Sequence, residues 1–366
     1  MKTLGLRQFA TTLLIGASLV AVSGCQQTAE APSSPAASPA QEVSSPAAPT
    51  EKKDVKFTLA WLLQGTDAPI TLAIDKGYFA AEGLNVTFER GYGSADTPSK
   101  VAAGQYDIGT GDIYNMIEFN EKNPDKKLVA FAVFSNGAPF AIATLADSGI
   151  KTPKDLAGKK LGAPAGDAPR RLWPVFATSV GIPPDSVEWV TMEPKLRETF
   201  LLQKQVDAIS GFVTTFKPNL VKAGKKDADI VVFYFKDYGL PMYGNVLFAR
   251  EDFIKKNPDV IKAFTKAVLK GMKDTIADPD AALKSVLKAS QQPMDEAAER
   301  MRLEIALNNL YVNDEVKKNG LFGLDPERMQ KTIDQTVKGF GLKTTPKVTD
   351  VFDDSFLPPK EERMLQ

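Results

Sequence analysis

Val101-Ala102-Ala103-Gly104-Gln105-Tyr106-Asp107-Ile108 has an echo 100 residues on, in Leu201-Leu202-Gln203-Lys204-Gln205-Val206-Asp207-Ala208. Each stretch reads as the end of a helix, a tight turn, and an acidic residue opening a short strand. Each strand then runs into glycine, Gly109 and Gly111 in the first and Gly211 in the second. Two such units predict two similarly built α/β domains.

The same rhythm extends outward from both. Apolar alternation predicts a strand over Val55–Trp61, a helix over Pro69–Ala81, and a strand over Asn85–Glu89. A helix is predicted over Thr97–Ala103, a strand near Tyr106–Gly109, a helix over Ile113–Glu121 and a strand over Leu128–Phe134. Strands resume at Leu161, Val187, Val206 and Ile230. From Glu251 the pattern turns helical, most clearly over Val260–Ile276 and Met294–Leu310.

Ahead of this body, Lys2 and Arg7 precede an apolar, small-residue run from Phe9 to Val22, too short to span a bilayer and ending in Ser23-Gly24-Cys25. Cys25 is the chain's single cysteine, and its setting resembles the bacterial lipobox. Residues 1–24 are therefore expected to be a signal peptide and Cys25 a lipidated anchor facing the periplasm or exterior. Two or more acyl chains hold where one is marginal. Residues 25–54, mostly Ala, Pro, Ser, Glu and Gln, cannot bury enough apolar surface to offset their ordering entropy and read as a linker. Residues 346–366 are assigned as a C-terminal tail.

Absences narrow the chemistry. The 366 residues include no histidine, and the lone cysteine lies outside the body. Ser-His-Asp and Cys-His catalysis and His- or Cys-based zinc sites cannot be built; a carboxylate-only metal site or a carboxylate acid–base pair stays open, though neither a metal nor a cofactor is expected. The acidic residues are scattered, with no D-x-D-x-D-G or Walker-type loop. Loss of Lys2 and Arg7 with the signal leaves 43 basic residues against 45 acidic, with no basic stripe to suggest nucleic acid.

Lys76-Gly77-Tyr78-Phe79, Glu82-Gly83-Leu84-Asn85-Val86 and the two helix-turn-Asp-strand units together resemble the type II solute-binding proteins of ABC importers. The similarity is to the branch that binds alkanesulfonate, nitrate, taurine and thiamine-pyrimidine precursors. This resemblance implies two α/β domains joined by two hinge strands, with a small-molecule ligand trapped between them. Carried onto this chain, the crossings fall near Phe140–Thr144 and Asn245–Phe248. Domain one is then 55–143 plus 246–345, and domain two 144–245. The implied partners are an ABC permease and ATPase, for a protein acting as a monomer. The alternatives are a pyrimidine-synthase-like enzyme on the same fold, whose family pattern includes histidine and a cysteine-rich motif absent here, and a ligand-sensing module.

In open α/β sheets ligands bind beyond the carboxyl ends of the strands, where helix N-termini present free N–H groups. The loops at those ends supply the candidates Trp61, Gln64, Asp67, Tyr92, Ser94, Asp112, Asn136, Phe212, Tyr238, Tyr243 and Asn245. The aromatics could stack on a flat ring or be core. Gly162-Ala163-Pro164-Ala165-Gly166-Asp167-Ala168-Pro169-Arg170-Arg171 reads as strand, small-residue loop and helix start. Two arginines there oppose the helix dipole. They could grip a carboxylate, sulfonate or phosphate, or Asp167 could cap the helix and neutralise one of them. The ligand stays open between an anion and an aromatic heterocycle.

Overall fold

The computed structural model describes residues 52–93 and 95–365. The expected signal peptide, Cys25 and nearly all of the proposed linker lie outside the described residues, as does Ser94.

The body holds two mixed five-stranded sheets. Sheet one runs β2 (Leu84–Glu89), β1 (Lys53–Thr58), β3 (Ile108–Asp112), β10 (Asn245–Arg250), β4 (Leu128–Val133). Sheet two runs β7 (Glu188–Thr191), β6 (Lys160–Ala163), β8 (Ala208–Phe212), β5 (Phe140–Leu145), β9 (Ile230–Tyr234). The two orders are the same pattern. In each, the fourth position is an antiparallel strand, β10 between β3 and β4 and β5 between β8 and β9. Each of these strands follows directly on a segment that comes from the other sheet.

The echo in the sequence is a structural repeat. Gly104 and Lys204 both adopt left-handed backbone, with φ of 76° and 56°. The Asp107 carboxylate accepts the Lys56 N–H at 2.9 Å and Asp207 accepts the Lys160 N–H at 2.8 Å, each pinning its strand to the edge of a parallel neighbour.

Several boundaries move. β1 begins at Lys53, inside the stretch assigned to the linker, because Val55 and Phe57 bury against the sheet. The helix expected over Pro69–Ala81 is broken into Ala68–Asp75 and Tyr78–Ala81, since Gly77 takes φ 70° between them. The C-terminal tail is packed: Val351, Phe352 and Phe356 are buried, and Phe352 bridges to Ala130 of β4. Phe140–Thr144 and Asn245–Phe248 lie within β5 and β10. The chain passes between sheets just before them, over 134–139 and 235–244. Those segments carry Gly137, Gly239, Pro241 and Gly244, which interrupt strand pairing. They also touch: a Cβ on Gly244 would stand 2.6 Å from the Gly137 carbonyl oxygen, so only glycine fits there.

Apolar packing follows the sheets. Phe57, Phe79 and Phe264 meet on sheet one with ring centroids 5.0–5.4 Å apart along the series, the last from the long helix Pro258–Ala277. On sheet two Phe176 stacks on Phe235 at 4.2 Å. The helix Glu296–Ala306 spans both sides, with Ala306 in a sheet-one cluster and Ile305 in a sheet-two cluster.

Candidate functional site

The carboxyl ends of β3, β6 and β8 converge where the two sheets face each other. β3 ends at Asp112 and feeds the helix Ile113–Lys122. β6 ends at Ala163, and the Pro164-Ala165-Gly166-Asp167 loop opens the helix Ala168–Arg171. Asp167 caps that helix, its Oδ2 accepting the Arg170 N–H at 3.1 Å and the Ser210 hydroxyl at 2.6 Å. Arg197 brings Nη1 within 3.8 Å of Asp167 Oδ1 while its Nη2 donates to Glu198 at 2.8 Å. Burial pushes the Asp167 carboxyl above its ordinary value despite Arg197 and Ser210.

Tyr114, on the first turn of Ile113–Lys122, carries sheet one into sheet two. Its buried ring meets Phe140 of β5 edge-on at 5.1 Å, and Phe140 in turn meets Phe212 at 5.5 Å. Burial and the neighbouring Asp112 hold the Tyr114 hydroxyl well above the ordinary phenol range, with Asp167 adding to the effect and Arg171 opposing it. Asp112, Tyr114, Asp167 and Arg171 therefore share one electrostatic neighbourhood drawn from both sheets. Asn245 sits opposite Asp112 in the β10–β3 register and completes this group.

The side chains of the remaining candidates have partners of their own. Arg170 donates through Nη1 to the Ala163 carbonyl at 3.1 Å and the Thr191 hydroxyl at 2.9 Å. Arg171 forks onto Glu118. Tyr238 packs edge-on against Phe176 and Phe233 within the apolar cluster of sheet two. Trp61 and Tyr92 stand on the rim of sheet one, where the Trp61 carbonyl accepts the Gly91 N–H at 2.8 Å. Arg90 and Lys100 both lie over the Tyr92 ring, 4.2 and 4.1 Å from its centroid.

Asn136 and Tyr243 belong to a polar hub that joins the two crossing segments. Arg328 donates to the Asn136 carbonyl and Oδ1, each at 2.6 Å, to the Pro241 carbonyl at 2.7 Å and to Glu315 at 2.8 Å. It also lies 4.0 Å over the Tyr243 ring, whose hydroxyl donates to Glu315 and accepts the Asp325 N–H. Glu315 and Arg328 escape a reading of the sequence, as do Arg197, Ser210 and Tyr114. The one local sign is Gly211, whose missing Cβ makes room for the Arg197 guanidinium 2.2 Å from where that atom would stand.

Asp67 anchors a second group, buried beside the half-buried Gln64. Asp67 accepts the Gln64 N–H at 2.9 Å, beside Glu299 and Tyr311. Burial pushes the Asp67 carboxyl up to about 8 from an ordinary 3.8, with Glu299 adding to the rise and the Gln64 N–H offsetting part of it. The folded chain thus holds a proton that the unfolded chain has lost, so stability falls as pH rises from about 4 to about 8. Asp67→Asn keeps an acceptor for the Gln64 N–H and is expected to flatten this slope, leaving the variant more stable than wild type at pH 8. Urea denaturation across that range checks it; superimposable profiles would contradict it.

Residues 65–282, more than half of the chain, match the family described as NMT1/THI5 like. The chain belongs to the NMT1/THI5-like family. A formylaminopyrimidine-binding protein of Halalkalibacterium halodurans is 25% identical over 285 residues, which cover 76% of this chain and 83% of that protein. A 4-amino-5-hydroxymethyl-2-methylpyrimidine phosphate synthase of Schizosaccharomyces pombe is 22% identical over 233 residues, covering 62% of this chain and 66% of the synthase. Among solved structures, the periplasmic aliphatic sulphonate-binding protein SsuA of Escherichia coli superposes with a TM-score of 0.64 at 15% identity, covering 81% of this chain and 96% of its own. The two-sheet architecture of this NMT1/THI5-like chain is accordingly the periplasmic-binding-protein fold.

Proposed function

We propose that this chain is the solute-binding component of an ABC importer, tethered outside the cytoplasm through Cys25. It captures a flat nitrogen heterocycle bearing N–H donors. The observation that carries this reading is the buried pair of carboxyls, Asp112 and Asp167, set with Tyr114 and Phe212 where the two sheets face each other. Carboxyl groups accept N–H bonds, and a desolvated setting strengthens those bonds. The two arginines that would suit a sulfonate or nitrate are engaged with Glu118, Ala163 and Thr191. The relative named for binding a formylaminopyrimidine supports a ring of this type.

Each sheet with its helices acts as one body, and the paired crossings 134–139 and 235–244 serve as the hinge. Ligand touching both bodies favours the closed form in proportion to its differential affinity. With no histidine in the chain, general acid–base and nucleophilic chemistry lack their commonest residue, and capture without turnover is the simpler role.

The test is calorimetric titration of the full-length protein with a 4-aminopyrimidine, an alkanesulfonate and nitrate. The aminopyrimidine is expected to bind at least about 100-fold more tightly than either anion, and Asp112→Asn or Asp167→Asn to weaken it. A preference for sulfonate would overturn the ligand class, and conversion of the pyrimidine to a new product would return the enzyme reading. In the same preparations the wild-type chain should fractionate with membranes and Cys25→Ser should not.

A further inference from the structure

The helix Ile113–Lys122 rises from the end of β3 in sheet one, and the helix Ala168–Arg171 follows β6 in sheet two. Their side chains meet. Arg171 donates through Nη1 to Glu118 Oε2 at 2.7 Å and through Nη2 to Oε1 at 2.9 Å, the forked geometry that makes guanidinium–carboxylate pairs strong and directional. The same guanidinium lies 3.5 Å from the centroid of the Phe340 ring, and Phe340 packs edge-on against Tyr114 at 5.6 Å. Phe340 closes the helix Pro326–Phe340, whose opposite end carries Arg328 at the crossing segments. Next to it, Gly339 approaches Leu172 so closely that a Cβ would stand 2.7 Å from the Leu172 Cδ2. Burial raises the Glu118 carboxyl, but the bonds from Arg171 and Lys122 hold it below its ordinary value, so Glu118 is charged at neutral pH.

We infer that Glu118 and Arg171 form a clasp across the cleft, an ion pair that exists only while the two bodies are together and so sets how tightly ligand is held. The inference rests on the capture-by-closure reading above. Glu118 and Arg171 reach each other from helices that belong to different sheets, so any opening on this side must part them. The clasp is internal to the protein and needs no ligand to form. It therefore raises the closed population in advance, and the apparent dissociation constant is the intrinsic one divided by that population. In the structure the two arginines close the four-residue helix Ala168–Arg171 rather than open a long one, so the dipole does not disfavour them there. Arg170 holds the loop end to Ala163 and Thr191 within sheet two, while Arg171 reaches across.

Amide hydrogen exchange of the ligand-free, full-length protein tests this without requiring a known solute. The variants are Arg171→Ala, Glu118→Ala and both together. Exchange at 110–115 and 163–168, the facing strand ends, is expected to rise roughly 5- to 30-fold in each single variant. The double variant should be no worse than the more affected single one, because the second substitution removes a partner already lost. Amides of β2, at the opposite edge of sheet one, should exchange as in wild type. Unchanged exchange in both single variants would overturn the clasp, as would strictly additive effects, which would assign each residue a separate packing role. A protein that binds no solute yet shows this coupled response would leave the clasp standing and remove the importer reading instead. Glu118→Gln, a near-isosteric change on a partly exposed helix face, guards against misfolding and should behave as Glu118→Ala.

Discussion

Arg328→Met is expected to lower folding stability by about 3–5 kcal/mol, the range for removing one partner of an enclosed ion pair. The Arg328 and Glu315 side chains are 18% and 16% exposed, and the pair is 2.8 Å apart. Methionine matches the aliphatic stem but strands the Glu315 carboxylate, which otherwise also receives the Tyr243 hydroxyl and the Asn136 amide. It also leaves the carbonyls of Asn136, Pro241 and Met242 without their shared donor. These belong to the two segments that pass between sheets, so the loss falls on the connection between them. Arg328→Lys keeps the charge opposite Glu315 but cannot fork to three carbonyls at once, and should recover less than half of the deficit. Urea denaturation of wild type and both variants measures it. A midpoint for Arg328→Met within error of wild type would show that the hub is ornamental.

Local pattern made the two-sheet architecture legible because each repeat unit carries its own instructions. The Asp107 and Asp207 contacts reach one neighbouring strand, and the left-handed turns at Gly104 and Lys204 lie within a few residues of the strands they open. The place of β5 and β10 was less legible. Both look like ordinary apolar strands, and their antiparallel setting is decided by where the chain arrives after a crossing. Site residues divide along the same line. Asp112 and Phe212 close β3 and β8, and Asp167 caps the helix that follows β6, the positions to which strand-end logic points. Tyr238 also follows a strand, but it is half-buried and packs against Phe176 and Phe233 at the edge of the core. For Asn136, Tyr243 and Arg171 the deciding partners are Arg328, Glu315 and Glu118, which are between 53 and 192 residues away. No periodicity marks such partners. The oddity of Arg170-Arg171 at a helix start was visible, but its resolution by a carboxylate on the other sheet was not.

Arg197 offers the second large effect, and it tests the electrostatics of the cleft directly. Its guanidinium is buried and donates to Glu198 through Nε and Nη2 and to the Ser210 carbonyl through Nη1, with Asp167 3.8 Å away. Arg197→Met would leave two buried carboxylates without their shared counter-charge, at an expected cost of about 3–5 kcal/mol near neutral pH. The pH dependence separates lost charge from lost packing. Burial already holds the Asp167 carboxyl above its ordinary 3.8, and Arg197 is the strongest influence pulling it back. Removing Arg197 raises it further, so the folded variant binds a proton that the unfolded chain releases above about pH 4. The deficit should therefore be smaller at pH 5 than at pH 8, growing as pH rises through that window. Gly211→Ala supplies an orthogonal perturbation: its new methyl would stand 2.2 Å from Arg197 Nη1 and displace the guanidinium without deleting it. It should reproduce the direction of the pH dependence with a smaller loss. Denaturation of both variants at the two pH values decides the matter, and a deficit for Arg197→Met that does not change with pH would assign this arginine to packing alone.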